Sequence, residues 1–487
     1  MSDLAKRIAS LSNEQRALLF QRLKVMSGTI STVQADVGLV TGPVPLTPIQ
    51  HKILERNQLD LHLMNIVRFL EVFPALDPAL VKSTVQHLLE HHDALRLRFE
   101  LREFGWHQYI ANPNGTIPVT SIDLSMLPAT QQERAIEANA AELQTSLNLS
   151  EGPVWHVVLF NLGLQQPGRL LIIIHHLVAD AFSVQILIED FLTVYQQLSR
   201  GQTITLPSKT TSFKRLAELL EKYAQSLEIQ KELDYWLKLP WERINLLPVD
   251  YREDIGARTE KSFRIIPTLL SAQETHTLLQ TGGNTRIIEI LLTSLAQAFV
   301  RWTGSSTLLV EVTGHGRKTM FEDVDLSRTI GWFADEHPVV LDLEAAHTTV
   351  DALTAIKDQL CRVPNDGLGY GLLYYLNEHA EFVEKMRALP RPEVFFNYLG
   401  HYPRRQNSRE VVSFRPARES TGPRLNLDNT ICHLLKCEGG IFGDQLHLNW
   451  WYSDRVHTYV TVNRLAQSFI EVLRSLIAHC SIAVNSQ

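Results

Sequence analysis

Leu170-Leu171-Ile172-Ile173-Ile174-His175-His176-Leu177-Val178-Ala179-Asp180 is a run of five aliphatic residues passing into two imidazoles and, four positions after the second, a carboxylate. Pro167-Gly168 punctuates the chain just before it. An unbroken aliphatic run of this length, opened by turn residues, predicts a fully buried strand. Such a strand delivers His175, His176 and Asp180 to the edge of a core, where chemistry is sheltered from water. Histidine is the side chain best suited to accept and return a proton near neutral pH. A plain strand end turning into a loop is the bland alternative; it loses because the pair, the spacing and the strand context agree.

Outward from this strand, strand-like and helix-like periodicities mix. Strands are predicted over 67–72, 95–99, 106–110 and 154–162, the second and third forming a hairpin, and helices over 78–92, 129–147 and 182–198. Upstream, Ser12-Asn13-Glu14 opens an amphipathic helix over 11–25, followed by a Gly/Ser/Thr-rich stretch to Gly42 and an extended segment from Pro43. Leu206-Pro207-Ser208-Lys209-Thr210-Thr211-Ser212 has linker chemistry and caps a helix over 213–226. The second half repeats the mixture, with helices over 287–303 and 460–479 and strands over 308–312, 339–343, 394–398 and 445–452. The expected fold class is α/β, in two lobes: 1–205, carrying the His-His motif, and 206–487.

A chain of 487 residues is too long for one ordinary core. Hydrophobic content of 45% and charged content of 20% are those of a soluble globular protein. A net charge of -7, with no basic run to offset it, argues against nucleic acid as a partner. Cys361, Cys432, Cys437 and Cys480 lack metal-ligand spacing, so no metal is expected. Cys432 and Cys437 fall in one strand-like segment and read as small buried hydrophobes. The start, Met1-Ser2-Asp3-Leu4-Ala5-Lys6-Arg7, carries no apolar leader, and no stretch approaches a membrane span. A cytoplasmic, monomeric enzyme without a membrane partner is the expectation.

Beyond the His-His motif, six spaced segments carry a resemblance. They are Thr47-Pro48-Ile49-Gln50, His91-His92-Asp93-Ala94-Leu95-Arg96, Gly314-His315-Gly316-Arg317, Asp325-Leu326-Ser327-Arg328-Thr329-Ile330-Gly331-Trp332-Phe333, Gly367-Leu368-Gly369-Tyr370-Gly371-Leu372-Leu373 and Phe396-Asn397-Tyr398-Leu399-Gly400. With them the chain resembles the condensation/epimerization superfamily of nonribosomal peptide synthetases, and within it the epimerization branch. The resemblance implies two chloramphenicol-acetyltransferase-like lobes in a V-shaped pseudo-dimer. A tunnel between them would admit the 4′-phosphopantetheine arm of an acyl or peptidyl carrier protein from each face, with His176 midway as the catalytic group and no tightly bound cofactor. Asp180 would be structural and pair with Arg96, and His175 would orient the motif. Trp332 and Phe333 would be tunnel walls; Ser183 would be a pantetheine contact or a helix cap. Asn397 and Tyr398 would line the cavity or satisfy their strand neighbours. His91-His92-Asp93 reads as a helix-to-strand turn. Gly314-His315-Gly316-Arg317 is no phosphate loop, lacking the strand-to-helix context and a Walker lysine; in the family it belongs to a segment that reaches across the lobe interface.

The pattern breaks where chemistry would occur. Epimerization needs two proton carriers, one on each face of the α-carbon. The branch places a Glu immediately before Gly314, and this chain has Thr313, which does not titrate usefully. Glu311, on the same face as Thr313 if the stretch is a strand, could be a displaced substitute, but two residues along a strand is roughly 7 Å, long for hydrogen-bond reach. Further departures are Ala181, Ser183-Val184-Gln185 and Ala334-Asp335-Glu336-His337. One base suffices for acyl transfer, and donors at the Asp180-Ala181 turn could serve the oxyanion. The expected reaction is therefore transfer of an acyl group from the carrier thioester to an amine or hydroxyl nucleophile, small or carrier-bound, with His176 as base or positioning group. Epimerization of a carrier-bound aminoacyl or peptidyl thioester is the alternative. A non-catalytic recruitment platform is the third, and retention of His175 and His176 counts against it.

Overall fold

The computed structural model describes residues 38–485 except 57–59, 165, 253–257, 281–285, 318–320 and 403–412. The helix expected over 11–25 lies outside the described residues. In chain order the strands are β1 (Gly42–Val44), β2 (Asn65–Phe73), β3 (Leu97–Arg102), β4 (Gly105–Ile110), β5 (Val119–Asp123), β6 (Trp155–Asn161) and β7 (Gly168–His175). The second half adds β8 (Phe263–Leu269), β9 (Thr307–Gly314), β10 (Asp335–Asp342), β11 (Val394–Tyr402), β12 (Ser413–Pro416), β13 (Leu435–Phe442) and β14 (Gln445–Ser453). They form one sheet of order β12-β2-β7-β6-β5, a second of order β10-β9-β11-β13-β14-β8, and a small sheet β1-β4-β3.

β7 runs between β2 and β6, antiparallel to both. Its continuous aliphatic run exists because both faces are covered. Leu170, Ile172 and Ile174 pack into a large core with the helices Pro78–His91 and Ala181–Ser199, while Leu171 and Ile173 face a smaller core with Ile136 and Ala140 of the helix Ala129–Thr145. A half-exposed strand would have alternated instead. The second sheet has its own core, filled by the helices Ile287–Thr303 and Tyr459–Asn485. Gly304, with φ of 73°, ends the first of these in the left-handed conformation that glycine adopts without steric cost.

Segments of the second half return to the first sheet. β12 pairs with the edge strand β2, and just beyond it Glu419 accepts from Arg169 Nε at 2.9 Å, both side chains being buried. The helices Phe213–Tyr223 and Leu227–Leu237 contribute Phe213, Leu216, Ile229 and Trp236 to the first core, as Leu326, Ile330, Trp332 and Phe333 also do. β1–β7 precede residue 206 and β8–β14 follow it, with β12 joining the first sheet, and the packing runs across that point of the chain.

Two local expectations change. β10 begins at Asp335 rather than 339, because Asp335 pairs with Gly314 and Glu336 with Thr313 at the end of the β9 ladder. Cys432 is exposed and precedes β13; only Cys437 is a buried strand residue. Among the described residues no helix is long and apolar enough to cross a membrane.

The Arg169–Glu419 pair holds the crossing segment to the first sheet. Glu419→Ala leaves Arg169 with the Pro167 and Gly168 carbonyls and, as its one carboxylate partner among the described residues, Glu71 at 3.5 Å. It should cost about 2 kcal/mol in urea unfolding, somewhat below the usual loss for a broken buried pair. A cost under about 0.5 kcal/mol, typical of surface substitutions, would contradict this role.

Candidate active site

At the end of β7 the two histidines diverge. His175 is fully buried, its Nε2 lying 2.8 Å from the Leu61 carbonyl and its Nδ1 accepting from the Leu177 amide at 3.1 Å. The proton therefore sits on Nε2. Burial pushes the imidazole down to about 3, against a smaller opposing contribution from the Leu61 carbonyl. At neutral pH it is uncharged and held by both ring nitrogens.

His176 is anchored through its backbone N–H, which donates to the Met64 carbonyl at 2.8 Å. Its ring lies against Trp332 with centroids 4.1 Å apart. Nδ1 is buried and has no hydrogen-bond partner among the described residues. Burial lowers the basicity of the ring, against smaller opposing contributions from the backbone of His176 and Ala179 and from the Asp180 and Glu336 carboxylates. At neutral pH the ring is neutral and able to accept a proton.

Asp180 caps the helix Ala181–Ser199 by accepting from the Ser183 amide at 2.6 Å. Its ion-pair partner is Arg317, at 3.0 and 3.2 Å, not the expected Arg96. Arg96 is consumed locally: it donates to the carbonyls of Leu89, Ala111 and Val40 and pairs with Asp93 three residues back, at 2.8 Å. Arg317 also donates to the carbonyls of Leu326 and Thr329, and its guanidinium lies 4.5 Å from the Phe182 ring centroid and 4.4 Å from that of Phe333. Gly316 makes this loop possible, since a Cβ there would collide with the Phe333 carbonyl.

Ser183 is engaged within the fold, and the cap of its helix is Asp180. The fully buried Ser183 hydroxyl donates to the Gly331 carbonyl at 2.8 Å and accepts from the Gly331 amide at 3.1 Å, stapling the helix to the 326–333 loop. His91-His92-Asp93 forms the expected turn. His92 Nε2 lies 2.9 Å from Asp190, which Arg328 also engages, so that cluster is already ion-paired.

Beside His176 lies a cleft of about 650 Å³, its open mouth included, whose walls include Pro48, Lys52, Trp332, Phe333, Glu336 and Tyr375. His176 meets it through Trp332, which touches the imidazole and lines the cleft. Trp332 and Phe333 both line this cleft. Asn397 donates to Glu438 on the neighbouring strand at 3.0 Å, and Tyr398 packs against the second core.

The charges lining the cleft are Lys52, on a helix, and Asp335 and Glu336 of β10, which pairs with β9. Leu308, Val310 and Val312 of β9 enter the second core, so Glu311 and Thr313 share the opposite face. Glu311 cannot stand in as a free base. Lys52, on the helix Pro48–Leu54, contacts its Oε1 at 2.5 Å, and His433 contacts its Oε2 at 2.8 Å. Burial alone would raise the Glu311 carboxyl, but Lys52 and His433 outweigh it and hold it well below the usual range. Thr313 Oγ1 is buried and unpartnered. Directly across the ladder stands Glu336, whose Oε2 is 2.5 Å from Lys52. Lys52, Arg317 and Glu336 are the site residues missed in the sequence. Glu336 is visible there only as a departure, and the register that places it is a property of the folded sheet.

The corrected pairing has a direct test. A double-mutant cycle between Asp180→Ala and Arg317→Ala should show coupling of about 1–3 kcal/mol, whereas one between Asp180→Ala and Arg96→Ala should show less than about 0.5 kcal/mol. The reverse ranking would restore the original assignment.

The family model for the condensation domain matches residues 40–487. One of the linear gramicidin synthase proteins of Brevibacillus parabrevis is 42% identical over 451 residues, covering 91% of this chain and 6% of that protein. Another protein of the same synthase is 41% identical over 459 residues, covering 93% of this chain and 9% of its own length. The chain thus spans under a tenth of these relatives. Among solved structures, the epimerization domain from the third module of tyrocidine synthetase B superposes with a TM-score of 0.83 at 31% identity, covering 92% of this chain and 100% of that one. The fold is accordingly α/β with two chloramphenicol-acetyltransferase-like lobes. The chain belongs to the condensation-domain family of nonribosomal peptide synthetases.

Proposed function

We propose that this chain inverts the α-carbon of an aminoacyl or peptidyl group held as a thioester on the 4′-phosphopantetheine arm of a carrier protein. The observation that carries this reading is His176: a neutral imidazole set against the wall of a cleft, its Nδ1 buried without a hydrogen-bond partner among the described residues. A thioester acidifies its α-carbon, so a positioned base can remove that proton and leave the electron pair in an enolate. The likeness to a solved epimerization domain across the whole of that domain supports inversion over acyl transfer. Thr313 favours acyl transfer, because it removes a carboxylate from the place where the resemblance implies one. That objection weakens where the cleft wall carries Glu336 and Lys52.

A carrier protein loaded in turn with each proteinogenic L-aminoacyl group, incubated with the enzyme in deuterated water, should gain one mass unit at the α-carbon. His176→Ala should slow this about a thousandfold, within the range for loss of a general base, and leave the fold intact. If a supplied amine instead removes the acyl group without deuterium uptake, condensation-type acyl transfer is the reaction. If neither occurs, the chain is a recruitment platform.

The pH dependence follows from burial. His176 must be neutral to act as base, and its folded value lies below the usual 6.5. Activity should hold as pH falls through 6.5 and be lost only below it. An acid limb centred above 6.5 in a rate profile would contradict a desolvated base.

A further inference from the structure

Inversion at carbon requires a second proton carrier on the face of the substrate away from His176. We infer that Glu336, coupled to Lys52, is that carrier, and this rests on the epimerization reading above. Glu336 and Thr313 are direct partners in the antiparallel β9–β10 ladder. Direct partners point to the same face, with Cβ atoms about 5 Å apart. A carboxylate at 336 therefore serves the volume that one at 313 would serve, approached from the adjacent strand.

Three observations separate Glu336 from its neighbours. It lines the cleft together with Trp332, the residue against which the His176 ring rests. One of its oxygens, Oε2, is bound to Lys52, and no described group holds the other. Glu311, by contrast, has both oxygens occupied by Lys52 and His433. Lys52 pairs with Glu336 and also with Glu311, which His433 holds, Arg56 is near enough to feel the Glu336 charge, and Asp335 lines the same cleft. Lys52 is held in its charged form: burial opposes this, but Glu336 and Glu311 outweigh it. The Glu336–Lys52 unit therefore contains a proton as well as a carboxylate.

The step balances without any oxidant or added reactant. His176 takes the α-proton, breaking one C–H bond and leaving the electron pair in the enolate. The Lys52 ammonium, through Glu336, gives a proton to the opposite face, forming the new C–H bond. Exchange with water then removes the proton from His176 and returns one to Lys52. In the reverse direction Glu336 takes the proton and His176 supplies one.

Glu336→Gln should lower the rate of inversion at least 100-fold, measured by chiral analysis of the released amino acid. Deuterium should still enter one stereoisomer with retention, because His176 continues to exchange on its own face. A purely structural role would reduce both readouts together. Thr313→Glu introduced into the Glu336→Gln chain should bring inversion back to within tenfold of wild type. Glu336→Asp, which keeps a charge near Lys52 but withdraws it by one methylene, should lose inversion more than deuterium uptake. Inversion by Glu336→Gln within threefold of wild type, or equal loss of both readouts without rescue, overturns the role of Glu336 while the epimerization reading stands. Absence of deuterium uptake by the wild-type chain overturns that reading itself.

Discussion

The ion pair between Asp180 and Arg317 is the contact through which this site is assembled. It joins the helix that follows the His-His motif to a loop 137 residues further along the chain. Burying two charges costs several kcal/mol per ion, and Coulomb attraction alone does not reliably recover it. Here the remaining valences are used: Asp180 caps a helix, and Arg317 donates to Ser183 and to two carbonyls. The flanking rings of Phe333, which is buried, and Phe182, which is exposed, add cation–π attraction. Because the same loop continues into Trp332, Phe333 and then β10, fixing Arg317 also fixes the wall against His176 and the start of the strand bearing Glu336.

The electrostatics of the site divide by surroundings. On the His176 side the walls are apolar, and desolvation keeps the imidazole uncharged. In a separate cluster one lysine, Lys52, serves two carboxylates, so charge is retained there despite burial. A neutral base and a separate group that carries both a proton and a carboxylate are what the proposed inversion requires. The same desolvation makes His175 a liability in acid. Its stabilising contribution is complete above its unfolded value of 6.5 and lost as pH falls toward its folded value of about 3.

Much of this was legible in the sequence, for identifiable reasons. The run from Leu170 to Ile174 announced a strand covered on both faces, and two separate cores cover it. The helix over Ile287–Thr303 was readable because apolar spacing and a terminal glycine coincide. What failed was long-range pairing. Arg96 looked like the partner of Asp180 by resemblance, yet Asp93, three residues away, captures it. Glu311 looked like a spare carboxylate because a strand places it on the right face, while its neutralisers, Lys52 and His433, come from distant segments. Glu336 was hidden for the complementary reason: only the register of β9 with β10 brings it beside Thr313.

The most direct measurement is the stereochemical end point. Carrier protein loaded separately with the L and the D form of one accepted aminoacyl group is incubated with the enzyme, and the amino acid is released and resolved on a chiral column. Two opposed proton carriers predict that both samples converge on the same mixture of stereoisomers. Retention of the starting configuration in each sample, with the acyl group passing to an added amine, would contradict the account.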